Sequence, residues 1–255
     1  MKNTKIEWCD HTVNFWWGCT EVSEACKNCY ARAIAKRFKV DCWGDKPHHL
    51  RIEKATEEVR KLNASAKRRG VVETVFVNSM SDFFDITVSD EIRLSLWRLF
   101  DECEELRFMI LTKRTALLAM HVESFGDDIP PNVHFGITAE NQECFDKRMP
   151  ALKRLWIRVF LSCEPLLGEI DISAYAERID WVIVGGENAP ILKCRNFDSR
   201  HANKLLRQAQ EHHIPYFFKS KGKRHNFYDL KCKSVSEPMA TREYPAWHNK
   251  WDGVL

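Results

Sequence analysis

No apolar run in the chain approaches the roughly 18 to 20 residues needed to span a bilayer, and the opening segment MKNTKIEWCD has no apolar core of signal-peptide length. These absences point to a cytoplasmic protein without membrane contact. A large excess of one charge is also missing. The 39 basic and 36 acidic residues leave a net charge of +3, so bulk electrostatics calls for neither a nucleic-acid nor a membrane partner, although a local patch can still form. Dense cysteine pairing is absent as well. Ten cysteines are spread over 255 residues, a length that buries a sizeable core without covalent staples, so reduced thiols are the simpler reading. No repeat at a solenoid period is evident.

Alternation is what the chain does have. Six β-rich apolar runs, ETVFVNS (73–79), RFMILTK (107–113), VHFGIT (133–138), RVFLSC (158–163), DWVIVGG (180–186) and IPYFFKS (214–220), each end in polar residues. Between them VSDEIRLSLWRLFDEC, TALLAMHVESF, NQECFDKRMPALKRL and DSRHANKLLRQAQEHH space their apolar residues by three and four, as helices packed on a sheet do. Ser89 and Asp198 stand where N-caps belong, and Pro150 kinks or splits its helix. Upstream, HTVNFWWGC reads as a first strand, followed by helices over 27–38 and about 52–67, with an irregular VDCWGDKPHH segment between them. The expected fold class is α/β: a partial (β/α) barrel of six or seven mostly parallel strands over 1–220, with outer helices and a C-terminal extension over 221–255.

Only three cysteines cluster. In GCTEVSEACKNCYAR, Cys19, Cys26 and Cys29 follow a C-x6-C-x2-C spacing in the loop after the first strand. Three thiolates on one loop suit a four-iron cluster that keeps one iron open, whereas structural zinc normally takes four protein ligands. A zinc site completed by Cys9, Cys42, His11 or His48 is the alternative, and it would make the chain a non-enzymatic module that binds nucleic acid or protein. A three-cysteine loop after the first strand of a parallel α/β barrel resembles the radical S-adenosylmethionine (SAM) superfamily, although the usual spacing there is C-x3-C-x2-C. The stretches IEWCDHTVNFWWGCTEVSEACKNCYA, VFVNSMSDFFD, FMILTKR, FGITAEN, FLSCEPLLGEID and DWVIVGGENA also resemble a phage- and prophage-associated family of three-cysteine-motif proteins, whose role is largely unassigned.

The superfamily resemblance implies a 4Fe-4S cluster on Cys19, Cys26 and Cys29, SAM on the open iron, an electron donor as partner, and a 5'-deoxyadenosyl radical acting on a nucleotide, nucleic acid or other polar small molecule. It maps SAM contacts onto Asn78, Ser79, Ser81 and Asp82 after the second strand, with an amino-group role there, and onto Thr138 and Glu140 further along. Read from the residues, Lys113, Arg114, Glu164 and Glu187 end strands with charge and are candidates for substrate binding or catalysis, or for ion pairs that order loops. Gly185 and Gly186 permit close backbone approach to a ligand or a tight turn. A further possibility places Asp82, Glu140, Glu164 and Glu187 around a divalent ion. Cys163 and Cys194 are expected to be buried inert thiols, and His48, His49, His212 and His213 to be exposed. The nine tryptophans, Trp16 and Trp17 included, are expected to build core. The basic stretch 219–233, with Phe227 and Tyr228, has the ingredients of nucleic-acid contact.

Overall fold

The computed structural model describes residues 4–155, 157–188, 194–223 and 241–250. Its elements follow the alternation of the sequence: β1 (His11–Val13), β2 (Trp16–Trp17), α1 (Tyr30–Arg37), β3 (His49–Leu50), α2 (Ile52–Arg69), β4 (Glu73–Val77), α3 (Asp90–Asp101), β5 (Leu106–Thr112), α4 (Thr115–Phe125), β6 (Val133–Thr138), α5 (Gln142–Arg148), β7 (Val159–Cys163), β8 (Ile179–Gly185), α6 (Ser199–Glu211) and β9 (Tyr216–Ser220). Seven strands form one parallel sheet in the order β1-β4-β5-β6-β7-β8-β9. This is the topology of the partial (β/α) barrel expected from sequence. Its central strands are buried almost throughout, as the near-continuous apolar runs of parallel sheets are. Among the described residues no helix is long and apolar enough to cross a membrane.

The chain divides into two compact units, Met1–Val22 with Ala31–Gly136, and Ser23–Tyr30 with Ile137–Leu255. In the first, α2 packs on β1 and β5 through Ala55, Val59, Leu62 and Ala66, and closes on Gly70 in the left-handed conformation, φ 63°. From α3, Phe100 stacks on Phe108 of β5 with ring centroids 3.9 Å apart. The sequence-predicted first strand is two elements: β1 joins the parallel sheet, while β2 pairs antiparallel with β3. The break comes at Asn14, whose Oδ1 accepts from the Met80 N–H (2.8 Å), and at Phe15, whose N–H donates to Asn78 Oδ1 (2.8 Å).

In the second unit Asn141 and Asp198 cap α5 and α6, their side chains accepting from the N–H groups of Cys144 and Arg200. Ser89 holds the N-cap position of α3 without a capping hydrogen bond. Pro150 ends α5, and the chain continues as a 3-10 turn, Met149–Leu152. Residues 241–243 return beside β9, with Phe218 N–H donating to Thr241 O (2.9 Å) and Glu243 N–H to Tyr216 O (2.9 Å). Beyond them Tyr244, Trp247 and His248 gather on Trp181 of β8.

Candidate functional site

In the first unit the cysteine loop starts at Gly18, whose φ of 114° and closeness to the Cys42 carbonyl, 2.1 Å from where a Cβ would stand, exclude any side chain. Cys19 follows, half-buried and free. Arg114, just past β5, is buried and holds this part of the loop. Its Nη1 meets Asp82 Oδ2 at 3.0 Å and Cys19 Sγ at 3.7 Å; its Nη2 meets Asp85 Oδ2 at 2.9 Å, Thr20 O at 2.9 Å, and Thr20 Oγ1. Asp82 also accepts from Thr112 Oγ1 (2.6 Å) and from the N–H groups of Phe84 and Lys113 (3.0 Å each). Asp85 accepts from Thr20 N–H (3.0 Å) and Thr87 N–H (3.1 Å), with His48 Nε2 3.6 Å away. Burial works to raise the Asp85 carboxyl, but His48, these N–H groups and Arg114 outweigh it and hold the group far below the usual carboxylate range. Burial and the Asp82 carboxylate push the Cys19 thiol up to about 12, with Arg114 pulling the other way. Cys19 therefore gives up its proton near neutrality only when a cation takes the proton's place.

In the second unit, residues 23–30 carry Cys26 and Cys29 around a short 3-10 helix, Glu24–Asn28. Ser23 Oγ donates to Glu140 Oε1 (2.6 Å) just beyond β6 and lies 3.6 Å from Cys26 Sγ. The other Glu140 oxygen takes Arg148 Nη1, which also donates to Thr138 O at 2.6 Å. At the far end of the segment Asn28 Nδ2 donates to Glu187 Oε2 (3.2 Å), while Arg195 binds the same carboxylate through its guanidinium and its N–H (2.8 Å) and reaches Glu24 O at 3.3 Å. Burial opposes ionisation of Glu187, yet Arg195 and Asn28 keep its carboxyl below the ordinary value. Glu164 is paired with Lys219. Gly186 does allow a close backbone approach, but to the chain itself: a Cβ there would lie 2.1 Å from Lys221 O.

The family model described as "Protein of unknown function (DUF5131)" matches residues 3–254. The chain belongs to this family. No curated protein matches the DUF5131 chain. Two solved structures resemble it in fold. One is a double mutant of spore photoproduct lyase with bound AdoMet and a dinucleoside spore photoproduct, with TM-score 0.55 and 12% identity over 85% of this chain and 78% of that one. The other is a single mutant of the same lyase, with TM-score 0.53 and 12% identity over 88% and 78%. The DUF5131 chain thus shares the fold of this lyase.

The strand-end charges of the DUF5131 chain, candidates for chemistry or for ion pairs in the sequence, are paired in the structure. Asp82, Glu140, Glu164 and Glu187 each meet a basic side chain, Arg114, Arg148, Lys219 and Arg195 respectively, which leaves little of them for a shared divalent ion. Lys113 uses its backbone on Asp82 and its side chain is half-buried. Ser79 exchanges hydrogen bonds with Asn14 (3.3 Å), and Ser81 donates to Trp16 O (3.1 Å), so both fasten the exit of β1. Cys163 and Cys194 are buried, Cys194 Sγ donating to Glu187 O at 3.4 Å. His49, His212 and His213 are exposed, but the His48 side chain is buried against Asp85 and Thr87, contrary to the sequence expectation. Of the suggested fourth zinc ligands, His11 pairs with Glu73 at 3.1 Å and Cys9 and Cys42 are buried. Residues 224–233, with Phe227 and Tyr228, lie outside the described residues.

The buried polar atoms without a hydrogen-bond partner among the described residues include Asn78 Nδ2, on a residue with left-handed backbone (φ 60°) after β4, and Ser162 Oγ near the C-terminal end of β7. A buried donor without an acceptor costs about 1–3 kcal/mol, and a polar ligand removes that cost. The donor set of the loop, three half-buried thiols in no disulfide, is soft, the ligand type of iron-sulfur centres. Among the described residues no group of three or more His, Cys, Asp or Glu side chains, the three cysteines included, is placed so that it could hold a metal ion. Ser23, Asn28, Asp85, Arg148 and Arg195 were not singled out from sequence. Ser23 and Asn28 could have been, as the polar residues flanking Cys26 and Cys29.

Proposed function

We propose that the chain is a radical SAM-type iron-sulfur enzyme, with Cys19, Cys26 and Cys29 as cluster ligands, that modifies a nucleotide, nucleic acid or other polar substrate. The observation that carries this reading is a loop of three cysteines, outside any disulfide, that follows β2 in a fold shared with a lyase solved with bound AdoMet. When bound, the cluster and SAM would supply a one-electron cleavage of the sulfonium C–S bond to a 5'-deoxyadenosyl radical, with the electron coming from a separate donor. The protein's part is to place and shield. Arg114 donates toward the Cys19 sulfur, and a hydrogen bond to a ligand thiolate stabilises its negative charge and fixes its direction. Ser23 and Asn28, anchored on Glu140 and Glu187, fix the segment that carries Cys26 and Cys29. Asn78 Nδ2 is a donor, its Oδ1 being taken by Phe15 N–H, so it suits a ligand carboxylate or hydroxyl better than an amine. Ser162 Oγ is free to accept or donate.

Anaerobic reconstitution tests the reading. A brown protein with about four irons and four sulfides, which releases 5'-deoxyadenosine from SAM on reduction and loses both properties in Cys26→Ala, is the expected result. A colourless protein with one tightly held zinc overturns it in favour of the structural module. So does an activity that needs magnesium or manganese and survives Cys26→Ala.

A further inference from the structure

The net charge of the chain is only +3, yet residues 31–54 alone hold seven basic and three acidic residues. That charge surrounds an uncovered aromatic platform in the first unit. Trp17 of β2 faces His49 of β3 in register, with ring centroids 6.1 Å apart. Phe38, just past the end of α1, lies 6.0 Å from the same indole and is 63% exposed. The Arg51 guanidinium sits 5.7 Å from the Trp17 ring centroid. Trp16 is core, as expected from sequence, but Trp17 is only half-buried. Lys36, Arg37 and Lys39 flank Phe38 and are exposed. Among the described residues these three form no ion pair, whereas Arg32 is paired with Glu21 and Lys46 with Asp41.

We infer that this face binds single-stranded nucleic acid, Phe38 and Trp17 stacking on unpaired bases while Lys36, Arg37, Lys39 and Arg51 meet phosphates. An exposed phenylalanine beside an indole leaves apolar ring surface in water, and a base supplies the flat π-face that covers it. Free cations at the rim of the rings match a backbone carrying one phosphate per nucleotide. An acidic protein would satisfy the charges but does not place a ring beside each charge as a nucleic-acid strand does, and a duplex keeps its bases turned inward. The inference names a substrate class for the function proposed above, and it rests on that reading only for the chemistry. Binding is measured without a cluster, so the two fail independently.

The test is fluorescence anisotropy of the full chain with labelled oligothymidine and oligouridine of about twelve nucleotides, a length within the usual single-strand site sizes. Phe38→Ala is expected to weaken binding about tenfold, the loss typical of one stacked base, with the salt dependence unchanged. The combined Lys36→Gln, Arg37→Gln, Lys39→Gln variant is expected to flatten the log–log salt slope by about 2, at about 0.7 for each phosphate that is no longer neutralised. Circular dichroism confirms that both variants fold. Wild-type affinity in both variants, as when the strand binds through 219–233 instead, overturns the inference. Equal affinity for a duplex of the same length, or no binding at low salt, overturns it too.

Discussion

Replacing Arg114 by methionine keeps an apolar stem of similar length and removes the guanidinium that Asp82, Asp85, Thr20 and Cys19 share. Breaking a buried ion pair by deleting one partner costs about 3–5 kcal/mol, because the remaining charge stays buried. Here both carboxylates keep other donors, Thr112, Phe84 and Lys113 for Asp82, and Thr20 and Thr87 for Asp85, so the low end, about 3 kcal/mol, is expected. With a urea slope of about 3 kcal/mol/M, the unfolding midpoint of the cluster-free chain falls by about 1 M. Arg114→Lys keeps the charge without the fork and should lie between the two. The pH dependence has a definite sign. The folded-state pKa of Asp85 is depressed, so its stabilisation is complete above the ordinary value of 3.8 and is lost as the pH falls below it. The gap between wild type and Arg114→Met therefore narrows on acidification through that range. A midpoint shift under about 0.3 M, or a gap that widens in acid, would refute the view that Arg114 and these carboxylates form one compensated unit.

Ser23→Ala removes one hydrogen bond to Glu140 and should cost about 1 kcal/mol; Glu140→Gln leaves Arg148 without its buried counter-ion and should cost about 3 kcal/mol. Both are expected to lower iron bound per chain after reconstitution with all three cysteines intact, and undiminished loading would show that this network does not position Cys26. His121 is buried, accepting from Trp97 Nε1 (2.9 Å) and lying 3.1 Å from Asp90, and its pKa is lowered mainly by that burial. Its contribution is complete above the ordinary value of 6.5 and lost as the pH falls below it, so a pH series of urea midpoints should decline from there and flatten in His121→Gln.

The strands of the fold were legible because each is a short apolar run closed by polar residues; RFMILTK at 107–113 corresponds to Leu106–Thr112. The split of the first strand was not. HTVNFWWGC reads as continuous, and only the side chains of Asn14 and Asn78, which satisfy the peptide N–H groups of Met80 and Phe15, turn the chain out of the sheet. The pairing of Trp17 with His49 was equally hidden, since its partner lies in a segment with no strand pattern. At the site, the end-of-strand residues could be picked out by position, but their partners could not. Glu187 and Arg195 stand eight residues apart, Glu164 and Lys219 fifty-five, and neither spacing carries a periodic signal. A charge at a strand end looks the same in sequence whether it awaits a substrate or already holds its counter-ion.

That difference decides where the chemistry lies. General acid-base catalysis needs a group whose pKa lies near the working pH, which enzymes reach by raising carboxylates through burial or like-charge neighbours. Here the arrangement runs the other way. Asp85 and Glu187 are held below their ordinary values by Arg114 and Arg195 together with hydrogen-bond donors, so these two favour the ionised state, and Asp82, Glu140 and Glu164 each meet a basic side chain. Three of these ion pairs bear on the cysteine loop: Arg114 reaches Cys19, Glu140 holds Ser23 beside Cys26, and Glu187 holds Asn28 next to Cys29. These ion pairs therefore brace the segments on which the three cysteines stand, which is the arrangement the proposed function draws on.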